Sequence, residues 1–160
     1  MKKFTRLSIL LALAVVLNIV ESFIPLFNGF MPGFKLGLAN IVTLFILYKY
    51  GLKDALYVGI LRVFLVGILR LGIFNTHFFF SLSGCILSII MMFIFKKINL
   101  SIIGVSIIGS IFHSIGQILV AIIILNNNML YYLPWLLLLS IPTGIIVGLI
   151  SKRLIDYEIV

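Results

Sequence analysis

Six long apolar runs follow one another along the chain, each closed by charged residues, glycine, proline or asparagine. They occupy positions 7–24, 35–50, 55–71, 78–95, 100–125 and 129–150. None shows the strict alternation of a half-buried strand. Most are long enough for a tilted helix to cross about 30 Å of hydrocarbon. The breaks between runs are chemically distinct. Positions 25–34 hold Pro25, Gly29, Pro32 and Gly33, a loop composition. Gly51, Lys53 and Asp54 make a tight turn; 72–77 reads as a polar turn, 96–99 as a loop, and Asn126, Asn127 and Asn128 as another. Pro134 and Pro142 are expected to bend the sixth helix, and Lys152, Arg153, Asp156 and Glu158 form a charged tail beyond it. The pattern predicts an all-α integral membrane protein: one domain over 1–160, with six transmembrane helices in a bundle.

Composition agrees. Of 160 residues, 63% are hydrophobic and 10% charged, and mean hydropathy is +1.34. A soluble domain averages about half apolar and a quarter charged, so this chain belongs in lipid. The basic start followed by an apolar run is expected to be a retained first helix, since no small-x-small cleavage site follows it. The net charge of +8 would suggest nucleic acid in a soluble protein. Here the cations flank apolar runs, and no nucleic-acid-binding motif is present. With six spans, Lys2, Lys3, Arg6, Lys49, Lys53, Lys96, Lys97, Lys152 and Arg153 fall on the side of the termini, nine of the twelve Lys and Arg. Only Lys35 and Arg70 lie at opposite ends. The positive-inside rule then predicts a multi-pass protein of the bacterial cytoplasmic membrane with both termini cytoplasmic. The single Cys85 can form no intrachain disulfide and reads as a small buried hydrophobe, and no His/Cys cluster suggests a metal.

Polar side chains inside the spans are the candidates for function. Each costs free energy in hydrocarbon and needs a partner or water. Asn18 and Glu21 share a face of the first helix, Lys35 and Asn40 open the second, Arg62 lies near the middle of the third, and His113 and Gln117 share a face of the fifth. An Arg at the midplane costs at least ~3 kcal/mol unless paired or wet. Among the four acids, Glu21 is best placed to pair with it. The cytoplasmic half carries almost no polar side chains besides flanking cations, so the polar set predicts a cavity open to the outer face. Glu21, Lys35, Asn40, Arg62, His113 and Gln117 are its expected lining, with Phe78, Phe79 and Phe80 as wall or lid. Cations outnumber acids there, which favours a ligand with a carboxylate or phosphate. The alternative is structural: a Glu21–Arg62 pair and a His113 hydrogen bond that lock helices. Ser8 and Ala12 form a small-x-x-x-small pair on the first helix, a face able to dock a partner.

The stretch Pro32 to Leu44, the pair Leu61 and Arg62, and the run His113 to Gln117 resemble a family of small bacterial membrane proteins. It is known as Gx transporters or as heptaprenyl diphosphate synthase component I. The likeness covers nearly the whole chain, from Val20, Glu21 and Ser22 to Tyr132, Leu133 and Pro134. That family is similar in turn to the substrate-binding S components of energy-coupling-factor (ECF) transporters. The resemblance implies a six-helix subunit that captures a vitamin-like small molecule and works with a transmembrane coupling protein and two ATPase subunits. S components often dock through small residues on helix 1; the nearest match here is Ser8, Ala12 and Val16.

The two family names imply different chemistry. Prenyl diphosphate synthesis needs clustered aspartates for Mg²⁺, whereas Asp54 and Asp156 are the only aspartates and lie far apart. No Walker A loop is present. The expectation is a subunit that is not an enzyme and needs no cofactor or nucleic acid: a binding subunit for uptake or, alternatively, an accessory membrane subunit of a heptaprenyl diphosphate synthase. A flavin, a thiamin-like precursor and a prenyl phosphate all remain open as ligands.

Overall fold

The computed structural model describes residues 2–23, 37–73, 75–125 and 129–159. These residues form six α-helices. They are α1 (Lys2–Ser22), α2 (Leu38–Lys49), α3 (Leu52–Val66), α4 (Thr76–Lys97), α5 (Ile102–Leu125) and α6 (Leu133–Ile159). A π-helical turn, Gly67–Leu71, extends α3, and a 3₁₀ turn, Met129–Tyr132, leads into α6. Among the described residues, four helices are long and apolar enough to cross a membrane: α1, α4, α5 and α6.

The organising element is α2. It has 12 residues, too short to span hydrocarbon, and its side chains from Ile41 to Leu47 are all buried. A helix apolar on every side is a core element, not an amphipathic one. It packs against α1, α3, α4 and α6, while α5 lies between α4 and α6. Leu44, Ile46 and Leu47 of α2 meet Ala14, Ala55, Cys85 and Ile89 in one continuous core. Single chain reversals set the up-down order. Gly51, at φ +97°, turns α2 into α3, and Tyr50 and Gly51 both donate to Ile46 O. Asn99, at φ +60°, ends α4, and Leu100 N donates back to Phe95 O, the pattern of a left-handed helix stop.

Several sequence-derived boundaries shift. The basic start belongs to α1, and the charged tail is the last part of α6. The 72–77 turn is shorter than expected, since Thr76 and His77 already belong to α4, and Lys96 and Lys97 form that helix's last turn. Pro134 sits at the second position of α6, where no intrahelical N–H is lost. Pro142 alone lies inside the helix, and beside it the hydroxyls of Ser140 and Thr143 donate to Leu136 O and Leu139 O. The loops at 25–34 and 126–128 lie outside the described residues.

The basic ends of the helices gather at one end of the bundle. Lys3 pairs with Asp54 at 2.8 Å and stands over the Tyr50 ring, and Lys96 Nζ donates to Leu47 O at 2.9 Å. The opposite end carries the polar residues of the spans.

Candidate functional site

At that opposite end a cavity opens into the bundle, with about 60 Å³ of room for water centres. All six helices contribute to it. From α1 come Asn18 and Glu21, from α2 Asn40, and from α3 Arg62 with Arg70 beyond it. From α4 come His77, Phe78 and Ser81, from α5 His113 and Gln117, and from α6 Ser140 and Thr143. Five of the six residues expected to line a site therefore meet in one space: Glu21, Asn40, Arg62, His113 and Gln117. The sixth, Lys35, lies outside the described residues.

Among the described residues Arg62 is the most buried cation, 3% exposed. Its Nη1 lies 3.5 Å from both Asn40 Oδ1 and Thr43 Oγ1, and its Nη2 lies 3.7 Å from Cys85 Sγ. These are long contacts from a group with five N–H donors. Its Nε is buried with no partner among the described residues. The expected Glu21–Arg62 pair does not form. Glu21, 5% exposed, instead accepts a hydrogen bond from the backbone N–H of Gly37 at the start of α2. The reason is positional: the N-terminus of a buried helix presents unsatisfied N–H groups and a partial positive charge, a ready partner for a carboxylate.

His113 and Gln117 sit one turn apart, with His113 Nε2 and Gln117 Nε2 3.2 Å apart. Two glycines set their place. A Cβ on Gly84 would stand 2.8 Å from His113 O and 3.0 Å from its ring, and one on Gly116 would meet the Gly84 backbone at 2.9 Å. Ser83 Oγ donates to Gly116 O at 2.8 Å across the same crossing. The helices α4 and α5 thus approach closely enough to aim His113 into the cavity.

At the rim, Arg70 reaches from the π turn to donate to Ser22 O at 3.3 Å, with its guanidinium 5.8 Å from the Phe23 ring centre. Of the three phenylalanines expected as wall or lid, Phe78 is the one buried against the cavity. Phe79 is exposed, and Phe80 faces the His77 ring.

The hydroxyls are what the sequence reading passed over. Ser110, Ser114, Ser140 and Thr143 also line the cavity, and Ser114 and Ser140 touch at 2.7 Å. The signal was present as the spacing Ser106, Ser110, Ser114 on one face of α5. Ser106 and Ser151, buried deeper toward the basic end, correct the expectation that this half is nearly without polar groups. Ser8, Ala12 and Val16 are all exposed along α1. Among the described residues no group of three or more His, Cys, Asp or Glu is placed to hold a metal ion.

Fold and site together define an all-helical membrane bundle with a buried cationic cavity at one end. A family model for heptaprenyl diphosphate synthase component I matches residues 10–154, and the chain belongs to that family. No curated protein and no solved structure gives a significant match. The comparisons tie the chain to this family and not to ECF transporter S components.

Proposed function

We propose that this chain is a non-catalytic membrane subunit that binds a small anionic molecule in the cavity and acts with a partner. The observation that carries this reading is Arg62: a buried guanidinium beside open space, with long contacts and no carboxylate bound to it among the described residues. A ligand anion would supply the short, charge-assisted hydrogen bonds that the protein does not. Membership of a synthase component I family supports a partner that carries the catalysis, a prenyl diphosphate synthase subunit with its own metal-binding aspartates. The test begins with mass spectrometry of small molecules retained by the detergent-purified protein. An anionic molecule retained by the wild type and lost from Arg62→Gln supports the proposal; equal retention by both sinks it.

A second reading, uptake with a coupling protein and two ATPases, is favoured by one observation. The cavity opens at the end of the bundle away from the cationic end, which the positive-inside rule assigns to the cytoplasm. Purification from native membranes separates the two. Co-purified ATPases would support uptake, and a co-purified soluble synthase the accessory role.

A further inference from the structure

We infer that the cavity takes a compact, polar anion bearing its own hydrogen-bond donors, and not an isoprenoid chain. The inference rests on the binding-subunit reading above and specifies its ligand.

Size is the first argument. At about 10–15 Å³ of centre space per water, the cavity holds roughly four to six waters. The buried part of its ligand is correspondingly small.

The lining is the second. Val63, Val66, Phe78 and Leu136 supply its apolar side chains larger than alanine; the other lining residues are polar, glycine or alanine. An isoprenoid chain would have to lie against amides, hydroxyls and charges and strip their water without replacing it. A long apolar tail needs a continuous apolar trough, and the cavity lining offers only these four side chains, from three helices.

The third argument concerns where the hydroxyl protons point. Each hydroxyl has one donor and two acceptor positions. Ser140 Oγ has Leu136 O at 2.6 Å, Ser114 Oγ has Ser110 O at 3.3 Å, and the two hydroxyls lie 2.7 Å apart, so both protons are used within this α5–α6 wall whichever of the two donates to the other. Thr143 Oγ1 donates to backbone carbonyls, Leu139 O or Ser140 O. The hydroxyl protons of Ser114, Ser140 and Thr143 are thus used within the protein, and their acceptor lone pairs are left. Arg62, by contrast, has N–H groups to spare. The cavity joins a donor-rich cation from α3 to the acceptor positions of three hydroxyls on α5 and α6. A molecule with a carboxylate or phosphate at one end and O–H or N–H groups at the other satisfies both.

The test uses the full-length protein in detergent and calorimetric titration with three probes. Glycerate carries a carboxylate and two hydroxyls, propionate the carboxylate alone, and geranyl diphosphate an anion on an isoprenoid chain. Glycerate is expected to bind at least about tenfold more tightly than propionate, and Arg62→Gln to weaken it roughly ten- to hundredfold. Ser140→Ala, a smaller change in a hydroxyl wall, should narrow the glycerate–propionate gap. Glycerate binding no tighter than propionate overturns the inference. So does Arg62-dependent binding of geranyl diphosphate that exceeds glycerate, an outcome that leaves the anion-binding reading standing. Binding of every probe unaffected by Arg62→Gln overturns that reading itself.

Discussion

Glu21 and Lys96 hold opposite ends of the same short helix. The Glu21 carboxylate, from α1, accepts from Gly37 N where α2 begins; Lys96 Nζ, from α4, donates to Leu47 O at 2.9 Å and Tyr48 O at 3.4 Å where α2 ends. Each charge has the sign that the helix dipole favours at its end. The need follows from burial. A helix of 12 residues inside the bundle leaves its terminal N–H and C=O groups only partly open to water, and Gly37, as N-cap, has no side chain to offer. Two neighbouring helices therefore supply the caps. The same arrangement draws Glu21 away from Arg62, which leaves the guanidinium open toward the cavity.

Replacing Lys96 by Met should therefore destabilise the bundle by about 1–3 kcal/mol, the cost of leaving part-buried carbonyls without their charged donor. Lys97→Met, one residue on but exposed, should change stability by no more than about 0.5 kcal/mol. Thermal unfolding in detergent compares the two. Equal effects would show that Lys96 acts only as a flanking cation.

The crossing of α4 and α5 sets a second expectation. Gly116→Ala would push a methyl group to 2.9 Å from the Gly84 backbone, which cannot swing aside as a side chain could. Overpacking of this kind costs about 1–3 kcal/mol. It should also weaken ligand retention, because separating the helices moves His113 and Gln117. Gly51→Ala has open space around it but a φ of +97°, so it should cost stability without touching retention. Retention assays on both variants read out the difference.

Much of this was legible in the sequence, and the reasons differ by element. Apolar length identified the helices, and the shared faces of Asn18 with Glu21 and His113 with Gln117 placed them together, because helical period fixes which residues are neighbours. The role of Lys96 was not legible: a cation at the end of an apolar run reads the same whether it faces headgroups or caps another helix. Nor was the partner of Glu21, since pairing by charge alone ignores the N–H groups of a buried helix end. Ser110, Ser114 and Ser140 were passed over because a serine inside a span can satisfy itself on its own helix, so its presence signals little until two helices bring hydroxyls face to face.

Ser106 and Ser151 test the difference between a buried hydroxyl that is used and one that is not. Both are buried, and neither Oγ has a partner among the described residues. Ser106→Ala and Ser151→Ala should then be neutral or slightly stabilising, since a desolvated hydroxyl without a hydrogen bond costs about 1–3 kcal/mol. Ser114→Ala, which breaks the 2.7 Å contact with Ser140, should instead destabilise. A loss of more than about 1 kcal/mol in Ser106→Ala would indicate a partner for that hydroxyl in the membrane.

The face of α1 carrying Ser8, Ala12 and Val16 is exposed and made of small or modest side chains, which would let a partner helix approach closely. Ala12→Trp should abolish co-purification of the partner and leave ligand retention intact, because Ala12 lies away from the cavity. Loss of both together would mark the position as important to the fold instead.

Arg62 offers the sharpest separation of stability from function. Its three contacts are 3.5–3.7 Å long and its Nε has no partner, so the protein holds a desolvated cation with little return in hydrogen bonding. Arg62→Met keeps much of the side-chain volume, removes the buried charge, and leaves Thr43 with Ala39 O, to which it already donates. The ligand-free variant should therefore unfold at an equal or higher temperature than the wild type. With ligand present the order should reverse, because binding stabilises only the protein that can bind. A structural Arg would behave the other way, with Arg62→Met lowering the unfolding temperature whether or not ligand is present. Thermal unfolding of both proteins, with and without the retained small molecule, distinguishes a cation kept for its ligand from one kept for the fold.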